Sequence, residues 1–398
     1  MQGRRATQPC DGAWPSIRVA VLCDFLEEQW PSMDLVGDML TRYLHSEELS
    51  DIQAEQLRPA LRWRFSRLPG LAGRRFSWNA DRLMNRFADY PNWLGTRKSE
   101  YDVFHIVDHS YSQLAHSIPA ERCVITCHDL DTFRCVLDPR QDERRSRWMQ
   151  PMTRRILKGL QCAAHVIAVS ETTRQELLRL RVVPSERITV IHNGVHPSCS
   201  PSPSPADHEI AALLGAETQT SWLLSVGSTV PRKRVDVLLR VLAEVRRRLP
   251  EARLIRVGGF TAAQHQLARD LGVAGAIQIL PNLDREQLAA VYRRSSLLLQ
   301  TSEAEGFGLP LVEAMACSCP VVASDIPVLR EVGNAAASYC PVGAIGEWAE
   351  TVVTLLREQA RQPHAWNIRR QLSLERAAKF SWAENARQTA EIYRRIAG

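Results

Sequence analysis

Short apolar runs alternate with amphipathic stretches along almost the whole chain, the pattern left by parallel strands joined through crossover helices. In the second half the alternation is regular and predicts strands at 222–227, 252–257, 276–280, 296–300, 320–323 and 336–340. Between them apolar residues recur at helical spacing, as in Asp284 to Arg294, with Asp284 placed to cap, and in Ala344 to Arg357. Six such units complete one doubly wound domain. The first half is less regular but offers strands at 17–23, 102–107, 122–127, 165–169 and 187–191. Ser198 to Pro205 is a proline-rich polar tract that fits neither strand nor helix, so a linker is expected there. The pattern predicts an α/β protein of two doubly wound domains, 1–197 and 216–378, joined by 198–215, with strand carboxyl ends facing a cleft.

A chain of 398 residues accommodates two domains of ordinary size, and 45% hydrophobic with 24% charged residues is the make-up of a folded globular protein. No apolar run approaches the roughly 18 to 20 residues that cross a bilayer. Met1 to Pro15 carries arginines, but the run that follows, Ile17 to Cys23, is interrupted by Arg18 and stopped by Asp24. It reads as a first buried strand rather than a signal sequence, and the expected location is the cytoplasm. The ten cysteines are scattered, several within strand-like runs (Cys23, Cys123, Cys127), which favours reduced core thiols over disulfides. Cys123-x3-Cys127 and Cys317-Ser-Cys319 lack the second ligand pair that would close a zinc site.

The formal charge of +6 favours an anionic partner, and much of it is local. From Leu57 to Phe87, Arg58, Arg62, Arg64, Arg67, Arg74, Arg75, Arg82 and Arg86 stand against the single acid Asp81, with Trp63, Phe65, Phe76 and Trp78 interleaved. Two readings stay open: a surface that rests on anionic lipid at the inner face of a membrane, and a solvated pair of helices broken at Pro69-Gly70. No recognised nucleic-acid module accompanies the charge, so nucleic acid is not an expected partner.

Candidate chemistry concentrates in Glu305-Gly-Phe-Gly-Leu-Pro-Leu-Val-Glu313, where a glycine-rich bend runs into a helix. Gly306 and Gly308 permit a tight bend and close approach of a ligand to the backbone, and Pro310 suits the first helical position. The free N–H groups and positive dipole end of such a helix favour a phosphate-bearing ligand. Glu305 and Glu313 would repel that phosphate unless they bind neutral hydroxyls. The arrangement therefore reads as a site for a sugar carried on a nucleoside diphosphate, one glutamate for each sugar ring.

This segment, continued by Ala314-Met-Ala-Cys317-Ser-Cys-Pro320-Val-Val-Ala-Ser-Asp325-Ile-Pro327, resembles the retaining family 4 glycosyltransferases of the glycosyl transferases group 1. Val226-Gly-Ser-Thr-Val-Pro-Arg232-Lys233, Val190-Ile-His-Asn193-Gly194-Val and Val166-Ile-Ala-Val-Ser170-Glu-Thr-Thr look like the family's other landmarks, in the family's order. Four ordered motifs between residues 166 and 327 carry more weight than one E-x7-E pair. The resemblance implies a GT-B fold of two Rossmann-like domains, an acceptor-binding one at 1–197 and a donor-binding one at 216–378. It also implies that 379–398 is a helix crossing back to the first, for which Phe380-Ser-Trp382 to Tyr393 fits.

By the same resemblance Glu313 binds the ribose hydroxyls, Glu305 a hydroxyl of the donor sugar, and Gly306, Phe307, Gly308 and Leu309 the diphosphate and sugar through backbone groups. Arg232 and Lys233 neutralise the diphosphate as the glycosidic bond breaks. His128, in a Thr-x-His-Asp pattern after a strand, approaches the transferred sugar, and Asp108 with His109 lines the acceptor pocket. His128, Glu305 and Lys233 are thus the expected catalytic set, with neither cofactor nor metal. Asp129-Leu-Asp131 is the one competing metal pattern, since two carboxylates suit Mg²⁺ or Mn²⁺. Three departures from the family stand out: Ser228 replaces an arginine common after the strand's glycine, Gln29 to Asp34 lacks the usual Gly-Gly pair, and Ser318 sits where relatives have glycine. The implied activity is transfer of a sugar from a nucleoside-diphosphate sugar to a hydroxyl acceptor, lipid-linked if 57–87 meets a membrane, in polysaccharide or glycoconjugate synthesis. The alternatives are a non-catalytic sugar-nucleotide-binding protein and a sugar-nucleotide epimerase.

Overall fold

A computed structural model describes residues 16–70, 72–137, 150–215, 221–281 and 283–398. The reading of Met1 to Pro15 falls outside them. The described strands are β1 Ile17–Leu22, β2 Ile52–Leu57, β3 Val103–Ile106, β4 Cys123–Cys127, β5 His165–Ala168, β6 Ile188–Val190, β7 Trp222–Val226, β8 Arg253–Val257, β9 Ile277–Leu280, β10 Leu297–Gln300, β11 Val321–Ser324 and β12 Ala337–Cys340. They form two six-stranded sheets, ordered β2-β1-β3-β4-β5-β6 and β12-β11-β10-β7-β8-β9. In each, the chain leaves the first strand in one direction and returns to its other side. The topological switch points therefore fall between β1 and β3 and between β7 and β10, both parallel pairs.

All the predicted strands are present, and β2 is an addition. Its sequence, Ile-Gln-Ala-Glu-Gln-Leu, alternates buried and exposed positions at the sheet edge, so it lacks the apolar run that marks a central strand. The second sheet shows why central strands are so legible. Along β7, Trp222 and Leu224 enter one core while Leu223 enters the other, and β10 and β11 divide in the same way. With both faces buried, these strands are apolar at all but one of their positions, Ser225, Gln300 and Ser324 standing at or near their carboxyl ends. Asp284 caps the helix Arg285–Arg294 in a reciprocal arrangement with Gln287, as its spacing predicts.

Other expectations change. In place of the pair of helices read between 57 and 87, the described residues form one α-helix, Arg75–Met84, continued by a π-helical segment at Asn85–Asp89 and preceded by a short 3-10 turn at Phe65–Arg67. In the first half the chain makes only that turn, whose leading backbone N–H groups, those of Arg64, Phe65 and Ser66, donate to the Asp81 carboxylate at 2.8 to 2.9 Å. The tract 198–205 forms neither strand nor helix, but the rest of the expected linker is the helix Ala206–Leu214. That helix is anchored by Asp207 on Arg293 at 2.6 Å.

The chain divides into two compact units, one within Met1–Thr126, Asp138–Val166 and Ala386–Gly398, the other within Cys127–Leu137 and Ile167–Asn385. These boundaries differ from 1–197 and 216–378, because the loops following β4 and β5 are bonded to the Gly306 bend: Ser170 Oγ donates to Gly306 O at 2.8 Å, and Thr173 Oγ1 to His128 O at 3.2 Å. The last helix, Trp382–Ala397, ends in the first unit. There Tyr393 Oη lies 2.6 Å from His105 Nδ1, and Arg394 forks onto Asp51 at 2.6 and 2.7 Å.

Candidate active site

The two strands flanking the second switch point deliver the candidate groups. After β7 the chain turns through Gly227 to a 3-10 turn at Pro231–Lys233, and after β10 it runs from Thr301 to Glu305. The loops are knitted together: Glu303 N donates to Arg232 O at 2.8 Å, Thr301 Oγ1 to Lys233 O at 3.0 Å, and Arg232 Nη1 to Ala304 O at 3.0 Å. Lys233 Nζ meets Glu305 Oε1 at 2.6 Å, with Arg232 Nη1 3.5 Å from Oε2. Ser302 Oγ and Gln300 Nε2 donate to the same Oε1 at 2.7 and 2.9 Å. Burial acts to raise the Glu305 pKa, but the charges of Lys233 and Arg232, with the Lys233 and Ser302 bonds, outweigh it and hold the carboxyl below its usual value. Glu305 is therefore an ionised, fully solvated-by-protein acceptor at neutral pH. Gln300 and Ser302 were not singled out from sequence; a glutamine closing the run Leu-Leu-Leu-Gln300 was the one available signal.

Glu313 behaves differently. It lies in the helix Leu309–Ala316, only 5% exposed, and accepts from Tyr292 Oη at 2.9 Å. Here burial dominates and raises the carboxyl above its ordinary value against the Tyr292 bond and the charge of Arg285. Leu309, not Pro310, is the first helical residue: Gly308 is the N-cap, at φ 94°, and Pro310 comes second in the helix. A side chain at 308 would be strained in that left-handed conformation. Gly306 is fixed by space instead, since a Cβ there would collide with the carbonyl oxygen of His128. The Phe307 ring packs against Phe380 at 5.6 Å and is buried, so only its backbone faces the bend. Leu309 is partly buried against the same core.

His128 and Asp129 follow β4 directly, and the His128 side chain is buried. Asp129 and Asp131 both face Arg232, at 3.4 and 3.9 Å, and Asp129 Oδ1 also accepts from Asp131 N at 3.0 Å. The carboxylate pair is thus matched with a guanidinium. No cluster of three or more metal-ligating side chains occurs among the described residues.

Asp108 and His109 belong to the first unit, at the switch point between β1 and β3. Asp108 caps the following 3-10 segment by accepting from Ser110 N at 2.8 Å, and His109 Nδ1 lies 3.4 Å from its Oδ1. The β1–β3 register, Leu22 opposite Ile106, carries on to set Asp24 opposite Asp108. Asp24 is 2% exposed, and among the described residues no N–H or hydroxyl group donates to either of its carboxyl oxygens, which face the Asp108 carboxyl. Burial, then the charge of Asp108, pushes it well above the usual carboxylate range. Nothing in the sequence marked Asp24 beyond its place after a strand.

Comparison with known proteins gives the family. The profile described as "Glycosyl transferases group 1" matches residues 208–372, and that of "Glycosyltransferase Family 4" matches 42–198. The D-inositol 3-phosphate glycosyltransferase of Mycolicibacterium smegmatis is 34% identical over 243 residues, covering 58% of this chain and 53% of the relative. The D-inositol 3-phosphate glycosyltransferase 2 of Catenulispora acidiphila is 32% identical over 251 residues, covering 58% and 56%. The chain thus spans about half the length of these curated relatives. Among solved structures, a sucrose-phosphate synthase from Thermosynechococcus elongatus superposes with a TM-score of 0.73 at 18% identity, covering 96% of this chain and 99% of that one. An Anabaena protein in complex with UDP and glucose gives 0.69 at 18%, covering 94% and 99%. Two ordered family profiles and two six-stranded parallel sheets lead to one conclusion: the chain belongs to the family 4, group 1 glycosyltransferases and has the GT-B fold.

Proposed function

We propose that this chain is a retaining, metal-independent glycosyltransferase that moves a sugar from a nucleoside-diphosphate sugar to a hydroxyl acceptor in polysaccharide or glycoconjugate synthesis. The observation that carries the reading is the Arg232–Lys233–Glu305 cluster at the switch point between β7 and β10, where open parallel sheets bind their ligands. Lys233 and Arg232 stabilise negative charge on the leaving diphosphate. Glu305, kept ionised, accepts a bond from a donor-sugar hydroxyl, and Glu313 binds the ribose hydroxyls. Gly306 to Leu309 bring backbone groups to the sugar and diphosphate. His128 approaches the transferred sugar, and Asp108 with His109 holds the acceptor. Arg232 facing Asp129 and Asp131 supports metal independence, because a guanidinium already pairs with the two carboxylates that would otherwise suit a divalent cation. The family resemblance favours front-face attack, with the leaving phosphate taking the acceptor's proton.

The enzyme is proposed to work in the cytoplasm, with an acceptor at the inner membrane face. No helix among the described residues is long and apolar enough to cross a membrane. Arg58 pairs with Asp34, Arg62 and Arg64 with Asp89, and Arg82 and Arg86 with Glu28. Arg67, Arg74 and Arg75 are exposed and make no ion pair among the described residues, which leaves them for an anionic surface beside Phe76, itself 75% exposed.

Product analysis tests the activity. UDP-, GDP- and ADP-sugars are incubated with hydroxyl acceptors, inositol 3-phosphate first among them, given what the relatives' names record. The reading expects a glycoside of unchanged anomeric configuration that forms only when acceptor is present. An isomeric sugar nucleotide formed without acceptor would replace it with epimerisation.

A further inference from the structure

Arg256 lies on β8 and is only 1% exposed. Its Nη1 donates to Ser225 Oγ at 3.0 Å, and its Nη2 to the carbonyl oxygens of Gly227 at 2.7 Å and Ser228 at 2.9 Å. Its Nε has no hydrogen-bond partner among the described residues. All its acceptors are neutral, and no carboxylate pairs with it among the described residues. A guanidinium buried without a counter-charge is costly, and that cost is offset when an anion arrives.

The same three bonds orient the turn after β7. Carbonyl and N–H point in opposite directions across a trans peptide, and no described peptide bond is cis. Drawing the carbonyls of Gly227 and Ser228 onto Arg256 therefore aims the N–H groups of Ser228 and Thr229 the other way. Neither of these N–H groups donates to any acceptor among the described residues. Gly227 reaches the required conformation at φ 139°, and the Lys233 side chain passes within 3.7 Å of where its Cβ would be. Two adjacent unpaired N–H groups, with a lysine beside them and a buried guanidinium behind, form a main-chain anion nest.

We propose that the Gly227–Thr229 turn is a main-chain binding site for the diphosphate of the nucleotide donor, and that Arg256 is the positioning residue that builds it. The proposal rests on the donor reading given above. It explains how the chain dispenses with an arginine at position 228: the charge enters from the neighbouring strand, behind the turn, and the contacts to the anion come from the backbone. The side chain of Ser228 is not required.

Arg256→Gln, Arg256→Lys and Ser228→Ala are compared with wild type by calorimetric titration with UDP, GDP and ADP and with the matching nucleosides, folding being checked by thermal melting. Arg256→Gln should weaken the nucleoside diphosphate about tenfold or more while leaving the nucleoside unchanged, because it removes the charge behind the turn and the bonds that aim its N–H groups, which weakens the backbone bonds to a charged acceptor. Arg256→Lys should fall between, and Ser228→Ala should match wild type. Equal weakening of nucleoside and diphosphate in both Arg256 variants would reduce the residue to a structural one, and unchanged diphosphate affinity would remove the proposal while leaving the donor reading intact. Wild-type protein that binds none of the three diphosphates would overturn both.

Discussion

At the residue scale the two glutamates of the E-x7-E pair separate by environment. Glu305 is surrounded by cations and hydroxyl or amide donors, whereas Glu313 has one tyrosine and is otherwise buried. Glu313→Gln keeps an oxygen for Tyr292 and should fold normally, yet lose about tenfold or more in nucleotide affinity when a charge-assisted bond to ribose is lost. Lys233→Ala should lower affinity similarly and also lower the melting temperature, since it strips Glu305 of its closest counter-charge. Glu305 has a depressed pKa, so its contribution to stability is present above pH 4.5, the ordinary value, and fades as pH falls through the lower folded value. Asp24 has the opposite sign. Its raised pKa gives a contribution fully present below pH 3.8 and lost as pH rises through the folded value. Asp24→Asn should therefore raise the melting temperature at pH 7 and change it little near pH 3.5; a lower melting temperature at pH 7 would show that the Asp24 charge is stabilising. Glu305, Lys233 and Glu313 were legible because they sit in contiguous motifs. Asp24 and Arg256 were not, because their neighbours come from strand register: Asp108 lies far along the chain from Asp24, and an arginine in Arg253-Leu-Ile-Arg256-Val reads as an edge residue until its bonds to the preceding strand's turn are seen.

At the scale of elements, the bend before the Leu309–Ala316 helix depends on two glycines for different reasons, φ at Gly308 and space at Gly306. Gly306→Ala places a methyl against the His128 carbonyl and should destabilise by about 1 to 3 kcal/mol, as overpacking does; circular dichroism melting checks it. Central strands were readable from sequence because burial on both faces makes them continuous apolar runs, while β2 was missed because its edge position leaves every second residue polar. Of the two readings of the basic stretch, the pair of helices gives way to one helix and a turn, because charge and aromatic spacing do not reveal that Asp81 caps three consecutive N–H groups. The ion pairs of Arg58, Arg62, Arg64, Arg82 and Arg86 leave three arginines of the stretch to test against a membrane. Replacing Arg67, Arg74 and Arg75 by Gln should abolish sedimentation with anionic vesicles at low salt and spare donor binding, each basic residue near such a surface contributing about 1 kcal/mol. Wild-type protein that ignores those vesicles would return the segment to a solvated role.

At the scale of the whole molecule, each sheet presents polar groups at its own switch point: Asp24 and Asp108 beyond β1 and β3 in one, Lys233 and Glu305 beyond β7 and β10 in the other. The chain order of strands thus predicts where chemistry gathers, independently of any motif. The central claim is that the second of these places binds a nucleoside-diphosphate donor with protein cations doing the work of a metal. Calorimetric titration of UDP, GDP and ADP into wild-type protein and Lys233→Ala, each in EDTA, tests it most directly. The account predicts saturable one-to-one binding of one of the three by wild type in EDTA, weakened about tenfold or more in the variant. Binding that vanishes in EDTA and returns with Mn²⁺, or equal affinity in both proteins, would contradict it.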